Sequence, residues 1–283
     1  MSALADIYRR PRAPIAVDCH VHLFPERLFK AIREWFERVG WEIPYPTAHR
    51  EVLRALEGFG VSEVWALTYA HKPGAAEGLN AWMGEVARAE PMVRGFFTVH
   101  PEDDDPGAVA LKALNVHGLE GMKLHAEVQN LAVDDRRLDR VFDLLEERRA
   151  PCVLHAGDAP YPYTKENLDV ARVAERLKRN PALIAVIAHL GANQTPKYLE
   201  LTKEYPGLHL EVSFTNFPGS ERYGRFDFDS LAPLRDRLLF GSDFPNLTFT
   251  YADQADAWWN IDWVKEDAAM FFGDRARKLL PTS

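Results

Sequence analysis

Histidines are the residues of this sequence whose type and spacing point most directly to chemistry. The chain of 283 residues contains ten of them, and two, His20 and His22, are separated by a single valine. Residues i and i+2 of a β-strand point to the same side, so both imidazoles would project into the same space. Imidazole is a common neutral ligand of zinc and other transition metals. The pair therefore predicts part of a metal site.

Further histidines follow apolar segments that have strand character. Seven of the ten lie at or just after the ends of such segments: His20, His22, His71, His100, His125, His155 and His189. Another apolar segment leads directly into Asp243. A carboxylate at the end of a buried strand is costly to desolvate unless a metal, or a hydrogen bond to a catalytic water, compensates it. Capping of the next helix stays open as the alternative role of Asp243.

The strands that must position these residues are predicted from eight apolar segments: 15–20, 61–69, 93–99, 118–124, 151–154, 183–188, 208–214 and 238–242. Apolar residues with helical period lie between several of them and predict helices at 75–90, 106–115, 135–149 and 165–180. This alternation indicates an α/β fold, and eight such units match a (β/α)₈ TIM barrel. An open doubly wound sheet is the competing architecture, but the first strand is not followed by a Gly-x-Gly-x-x-Gly turn. The barrel would bring the carboxyl ends of all strands, and hence these histidines, to one face.

Residues 1–283 are predicted to form a single domain, because no repeat or linker divides them. Residues 24–50 are too many for an ordinary βα loop and include several large aromatic side chains, which predicts an extra helical segment after strand 1. A cap over one end of the barrel and packing on its outside both stay open for this segment.

Composition excludes several other classes of protein. With 34 Lys+Arg, 42 Asp+Glu and a net charge of −8, the chain has no basic footprint for nucleic acid. It has no apolar stretch long enough for a membrane span and no signal-like start, so a cytoplasmic protein acting on a small molecule is expected. Oligomeric state is not determined, and a homodimer is one option. Cys19 and Cys152 are expected to be small buried hydrophobes.

Five motifs in order resemble those of the amidohydrolase superfamily. The nearest resemblance is to its amidohydrolase-2 branch, the metal-dependent hydrolases that are similar to aminocarboxymuconate-semialdehyde decarboxylase. The motifs are Asp18-Cys-His-Val-His22, Gly121-Met-Lys-Leu-His125, Val153-Leu-His-Ala-Gly157, Ala188-His-Leu-Gly191 and Gly241-Ser-Asp-Phe-Pro245. Together they extend from strand 1 to strand 8, so the resemblance covers nearly the whole chain.

The resemblance implies a site with one divalent metal ion. Its ligands would be His20, His22, His155 and Asp243, with Zn²⁺ the first expectation and Mn²⁺, Fe²⁺ or Co²⁺ the alternatives. His189 would act as general acid or base, and Asp243 would also accept a proton. Such a metal lowers the pKa of bound water to about 7, and imidazole has the intrinsic pKa to move the proton.

Four residues are candidates for binding substrate, and each has an alternative role. Lys123 would bind a substrate carboxylate as an ammonium, although the superfamily's two-metal members carry a carboxylated bridging lysine on this strand. His125 would contact substrate or serve the structure. Arg222 and Arg225, in the loop after strand 7, would grip a carboxylate or simply lie on the surface.

The predicted function is a metal-dependent hydrolase that directs an activated water to a small, anionic ester, lactone or amide. The alternative is a non-oxidative, metal-dependent decarboxylase of a small unsaturated or aromatic acid. A catalytically inactive binding barrel is disfavoured, because every ligand expected from the resemblance is present. The remaining histidines, His49, His71, His100, His117 and His209, are expected to be structural or exposed.

Overall fold

A computed structural model describes residues 7–155, 169–220 and 226–281. Its eight strands form one sheet in the order β1 to β8, and the strand pairs whose register is defined are parallel. This order, with helices between the strands, is that of a (β/α)₈ barrel, so the predicted fold class is confirmed. The strands are β1 (Val17–His22), β2 (Glu63–Leu67), β3 (Val93–Phe97), β4 (Gly121–His125), β5 (Cys152–His155), β6 (Ala185–Ile187), β7 (Leu208–Glu211) and β8 (Leu238–Leu239).

Helices occupy the intervals between the strands, and the four predicted from periodicity are present within a few residues of their expected bounds. The helices of the described residues are α1 (Glu26–Arg38), α2 (His49–Phe59), α3 (Ala76–Ala89), α4 (Pro106–Asn115), α5 (Ala126–Gln129), α6 (Asp139–Arg148), α7 (Val170–Arg179), α8 (Thr195–Glu204), α9 (Tyr251–Trp259), α10 (Asp262–Glu266) and α11 (Arg275–Leu279). A 3₁₀ segment, Phe228–Arg237, precedes β8 and contains Pro233, which has no N–H for a regular α-helix. None of the helices in the described ranges combines the length and apolar character needed to cross a membrane.

Contacts between Cα atoms divide the chain into two compact units. The first comprises the described residues of Met1–Ala66 and Val212–Arg277, and the second those of Leu67–Glu211 and Lys278–Ser283. The first unit contains β1, β8 and most of β2, whereas the second contains β3 to β7. Whether residues 1–283 fold as a single domain stays a prediction.

In the first unit, main-chain hydrogen bonds join β1 to the chain around β8. Cys19 N donates to Phe240 O at 3.0 Å, and His22 N donates to Phe244 O at 2.8 Å. Between them, Asp243 N donates to His20 O at 2.8 Å. The backbone therefore sets Asp243 beside the two histidines of β1, as the predicted neighbourhood of strands 1 and 8 requires.

In the second unit, the register of β4 and β5 brings their terminal histidines together. His125 is the register partner of His155, and Lys123 is that of Val153. Both cysteines are fully buried, as predicted, and burial raises the pKa of the Cys152 thiol to about 12.

The predicted extra helix after strand 1 is α1, and the segment that follows it lies against the loops at the carboxyl ends of strands. Trp41 Nε1 donates to Asn246 O at 3.0 Å, in the loop after β8. The Trp41 ring lies 5.4 Å from that of Phe214, in the loop after β7. Of the two placements left open by the sequence, these contacts favour the cap.

Candidate metal centre

Three side chains at the ends of β1 and β8 converge on one point, and we call them the β1/β8 cluster: His20, His22 and Asp243. His22 Nε2 lies 2.9 Å from Asp243 Oδ1, and His20 Nε2 lies 3.2 Å from the same oxygen. The two Nε2 atoms are 3.2 Å apart. Two imidazole nitrogens and a carboxylate oxygen are a donor set that zinc and manganese sites use. The side chains present therefore fit a divalent cation, whose charge would offset the crowding of their lone pairs.

The cluster is buried and supported from behind. The side chains of His20 and His22 are 0% and 4% exposed, and that of Asp243 is 14% exposed. Ser213 Oγ lies 3.4 Å from His20 Nδ1, so the two nitrogens of this ring face different groups. The His22 ring stacks on Phe24 with a centroid distance of 5.9 Å. Such outer contacts fix which nitrogen of a histidine is available to a metal.

Asp18, two residues before His20, has a buried carboxylate for which no role was predicted from the sequence. Ser242 donates to it through Oγ at 2.6 Å and through N at 3.0 Å, and Tyr251 OH donates at 3.0 Å. His20 N adds a fourth hydrogen bond at 3.1 Å. Burial raises the pKa of Asp18 to about 7, although these hydrogen bonds oppose the shift. Asp18 thus ties β1 to the residue before Asp243.

A second group of side chains, the β5/β6 pair, consists of His155 and His189. His189 Nε2 lies 3.2 Å from His155 Nδ1, so one of these nitrogens carries a hydrogen and the other accepts it. The His189 side chain is 17% exposed, which keeps this imidazole within reach of a small molecule.

Glu211, at the carboxyl end of β7, is a candidate site residue that was not predicted from the sequence. Its side chain is fully buried, and its Oε1 accepts the main-chain N–H of His189 at 2.8 Å. The same oxygen lies 3.9 Å from His189 Nδ1. The signal that identified Asp243, an acidic residue ending an apolar strand, applies equally here. The predicted strand 7 continues to residue 214, so Glu211 lies in its interior and not at its end.

The β1/β8 cluster and the β5/β6 pair each contain a residue with left-handed backbone. His189 has φ of +56° and Asp243 has φ of +72°, and Phe214 after β7 has φ of +56°. Such values are uncommon and costly for residues other than glycine, and they persist where surrounding contacts hold them. The hydrogen bond from His189 N to Glu211 is one such contact.

Lys123 and His125 lie on β4. Lys123 is fully buried. The His125 ring stacks on that of His155 with centroids 3.9 Å apart. Its Nδ1 also accepts the N–H of Val128 at 3.3 Å, and so caps α5. His125 therefore has a structural role and, at the same time, a direct contact with a predicted metal ligand.

The remaining residues considered in the sequence are two histidines and two arginines of loops. His100 Nδ1 accepts the N–H of Glu102 at 3.2 Å, which is the loop-stabilising role expected for it. His71 is exposed at the start of the loop after β2. Arg222 and Arg225 lie outside the described residues, as does the loop after β5.

A model of the Amidohydro_2 family, described as amidohydrolase, matches residues 17–282 of this sequence. The match begins at the first residue of β1 and extends beyond α11. It therefore includes all of the candidate ligands and most of each compact unit. No curated protein matches the sequence.

Solved structures share the fold at low sequence identity. An uncharacterized TIM-barrel protein from Bordetella bronchiseptica is 18% identical with a TM-score of 0.69, over 93% of this chain and 98% of that one. The 2,6-dihydroxybenzoate decarboxylase from Rhizobium is 14% identical with a TM-score of 0.68, over 96% and 98%. The 5-carboxyvanillate decarboxylase from Novosphingobium aromaticivorans, complexed with manganese and a nitrobenzoic acid derivative, is 14% identical with a TM-score of 0.66, over 94% and 95%. At such identities these likenesses show the fold alone.

Proposed function

We propose that this chain, which belongs to the Amidohydro_2 family of amidohydrolases, is a metal-dependent decarboxylase of a small unsaturated or aromatic carboxylic acid. The convergence of His20, His22 and Asp243 on one point carries the metal-dependent part of the proposal. Decarboxylation is preferred to hydrolysis because two of the structural neighbours are decarboxylases of aromatic acids. The sequence alone favoured a hydrolase, with a decarboxylase as the alternative, and this order is now reversed.

We propose four metal ligands: His20, His22, His155 and Asp243. The first, second and fourth form the β1/β8 cluster, and His155 is the last residue of β5. In a (β/α)₈ barrel the carboxyl ends of the strands form one face, which supports the inclusion of His155. Zinc and manganese both suit three histidines and one carboxylate, and zinc stays our first expectation.

A bound divalent metal would supply Lewis acidity at the substrate's oxygen atoms. The chain's own residues would manage the proton. When the bond between the carboxylate carbon and the ring or chain carbon breaks, carbon dioxide leaves and the bonding electrons stay on the remaining carbon. We assign to the His189 imidazole the delivery of one proton to that carbon, because its side chain is partly exposed and its main-chain N–H is held by the Glu211 carboxylate. Asp243 would accept the proton of a substrate hydroxyl.

Substrate binding is assigned to Lys123, His125, Arg222 and Arg225. All are cationic or polar, in keeping with an anionic substrate. Lys123 is buried, and its ammonium would attract a substrate carboxylate through opposite charge. Carboxylation of Lys123 would instead require a second metal ion, and elemental analysis distinguishes one ion per chain from two.

The decisive experiment is a substrate panel on the metal-loaded protein. Hydroxybenzoate-type acids, lactones and esters are supplied separately, while carbon dioxide release and acid formation are followed. Release of carbon dioxide from an aromatic acid supports the proposal. Acid formation from a lactone or ester, without carbon dioxide, would instead establish the hydrolase.

His189→Ala separates metal binding from turnover in the same assay. Removal of a general acid or base costs about 10²- to 10⁴-fold in rate, and we expect this loss with the metal content unchanged. Full activity in His189→Ala contradicts its assignment. Metal-loaded wild type that turns over nothing in the panel contradicts the proposed reaction. The cytoplasmic location and the homodimer stay predictions.

A further inference from the structure

The turn that ends α1 sets the direction in which the main chain leaves the helix at Trp41. Trp41 N donates to Phe36 O at 2.9 Å, and Gly40 N donates to Glu37 O at 3.1 Å. With φ of +79° at Gly40, this is a Schellman motif, and the Phe36 and Trp41 rings make its typical apolar contact at 6.3 Å. Glycine adopts this φ without a steric penalty, so the local sequence sets the direction in which the chain leaves α1.

The Trp41 indole reaches the loop that contains Asp243. Its Nε1 donates to Asn246 O at 3.0 Å. Asn246 N in turn donates to Asp243 O at 2.9 Å. The same indole lies 5.4 Å from Phe214, which directly follows Ser213, the residue behind His20. Two hydrogen bonds therefore connect the indole to the main chain of the predicted metal ligand.

The segment that follows Trp41 is held in place by further hydrogen bonds of Arg33 and Tyr45. Arg33 Nη1 and Nη2 donate to the carbonyl oxygens of Ile43 and Tyr45 at 2.7 and 2.8 Å. Tyr45 OH accepts the N–H of Tyr251 at 2.9 Å and lies 3.3 Å from Phe249 O. We therefore expect these contacts to keep the segment on the loop after β8 when the indole N–H alone is removed. A conservative change at the indole therefore isolates one hydrogen bond.

We propose that Trp41 is a positioning residue for Asp243, acting through the main chain of Asn246. The proposal rests on the proposed function, because Asp243 is assigned there as a metal ligand. Left-handed φ at Asp243 is costly, so its turn needs contacts from outside to keep its shape. Without the indole N–H, Asn246 O loses its partner and the turn can move the Asp243 carboxylate away from His22.

Trp41→Phe tests this proposal, because it keeps an aromatic ring and removes the N–H. Trp35→Phe is the matched control, since Trp35 lies on α1 and is 44% exposed. Cobalt(II) is titrated into metal-free protein, and its visible absorption reports ligand number and geometry. We expect Trp41→Phe to weaken cobalt binding about tenfold, the lower end of the range for outer contacts of metal ligands. We also expect an altered spectrum, with no change in Trp35→Phe.

Several outcomes overturn the proposal. Cobalt affinity and spectrum that are unchanged in Trp41→Phe do so, as does an equal loss in Trp35→Phe. Trp41→Ala, which also removes the ring, should lose at least as much affinity, and wild-type binding there contradicts the proposal independently of folding effects. Wild type that binds cobalt but turns over no substrate overturns only the proposed function. Wild type that binds no cobalt overturns both.

Discussion

The β1/β8 cluster and the β5/β6 pair place histidines by different means. In the β1/β8 cluster, strand hydrogen bonds set Asp243 beside His20, and all three donors point to one spot that solvent scarcely reaches. In the β5/β6 pair, His189 follows a strand in left-handed backbone and is held there by a buried carboxylate. Rigid, buried donors suit a metal, whereas a partly exposed imidazole suits proton transfer.

Similar residues at similar positions in the fold need not have similar roles. A histidine in the pleat of a strand has its direction fixed by the backbone of its neighbours. A histidine just after the strand depends on contacts from outside that strand, and for His189 these include Glu211 and His155. Variants that remove each kind of support should therefore have different consequences for metal binding and for turnover.

The largest expected effect is that of His22→Ala. It removes one of the four proposed ligands, and one of the three that converge in the β1/β8 cluster, so metal content should fall from roughly one ion per chain to near zero. Elemental analysis after dialysis measures this loss, and circular dichroism checks the fold. His117→Ala, far from the candidate ligands in sequence, is the control. Undiminished metal in His22→Ala would remove the β1/β8 cluster from the metal site.

A smaller and different effect is expected from Glu211→Gln. The amide keeps an oxygen that can accept the His189 N–H, but it removes the negative charge 3.9 Å from the imidazole. We expect kcat to fall about tenfold, at the low end of the range for a group that orients a functional histidine, with KM and metal content preserved. Glu200→Gln, whose carboxylate is 72% exposed on α8, is the control.

Metal loss in Glu211→Gln would contradict the role assigned to Glu211. It would make Glu211 a metal ligand rather than a group that orients His189. Unchanged kcat would show that main-chain contacts alone orient His189.

The smallest effect is expected from Ser213→Ala. The contact between Ser213 Oγ and His20 Nδ1 is long, at 3.4 Å, and the strand already fixes the ring. A neutral hydrogen bond contributes about 0.5–1.5 kcal/mol, so cobalt affinity should decrease only a few-fold. Competition with a chelator measures the change, with Ser230→Ala as control. A loss as large as that in His22→Ala would show that strand geometry does not by itself hold the cluster.

Much of this architecture could be predicted from the sequence because the signals are local. Alternating apolar segments and helical periods identified the eight strands and the four helices, and Val21 between two histidines placed both imidazoles on one side of a strand. Neighbouring strands 1 and 8 then brought Asp243 to them. The prediction that both cysteines are buried followed from the same alternation.

Glu211 was missed because a strand end is weakly encoded. Apolar residues continue to Phe214, whereas the hydrogen-bonded strand stops at Glu211. Hydrogen bonding to neighbouring strands, and not local hydrophobicity, decides where a strand ends. That difference of three residues separates a mid-strand acid from one that orients a histidine.

The sequence by itself determined the fold class, the family and the identity of the candidate metal donors, because these depend on periodicity and on short motifs. Tertiary structure alone decided that Glu211 supports His189 and that Trp41 donates to Asn246, 205 residues further along the chain. Such contacts depend on how loops at the strand ends pack, and no local pattern encodes which distant carbonyl or amide will be near. The donors were therefore visible in the sequence, and the groups that hold them in place were not.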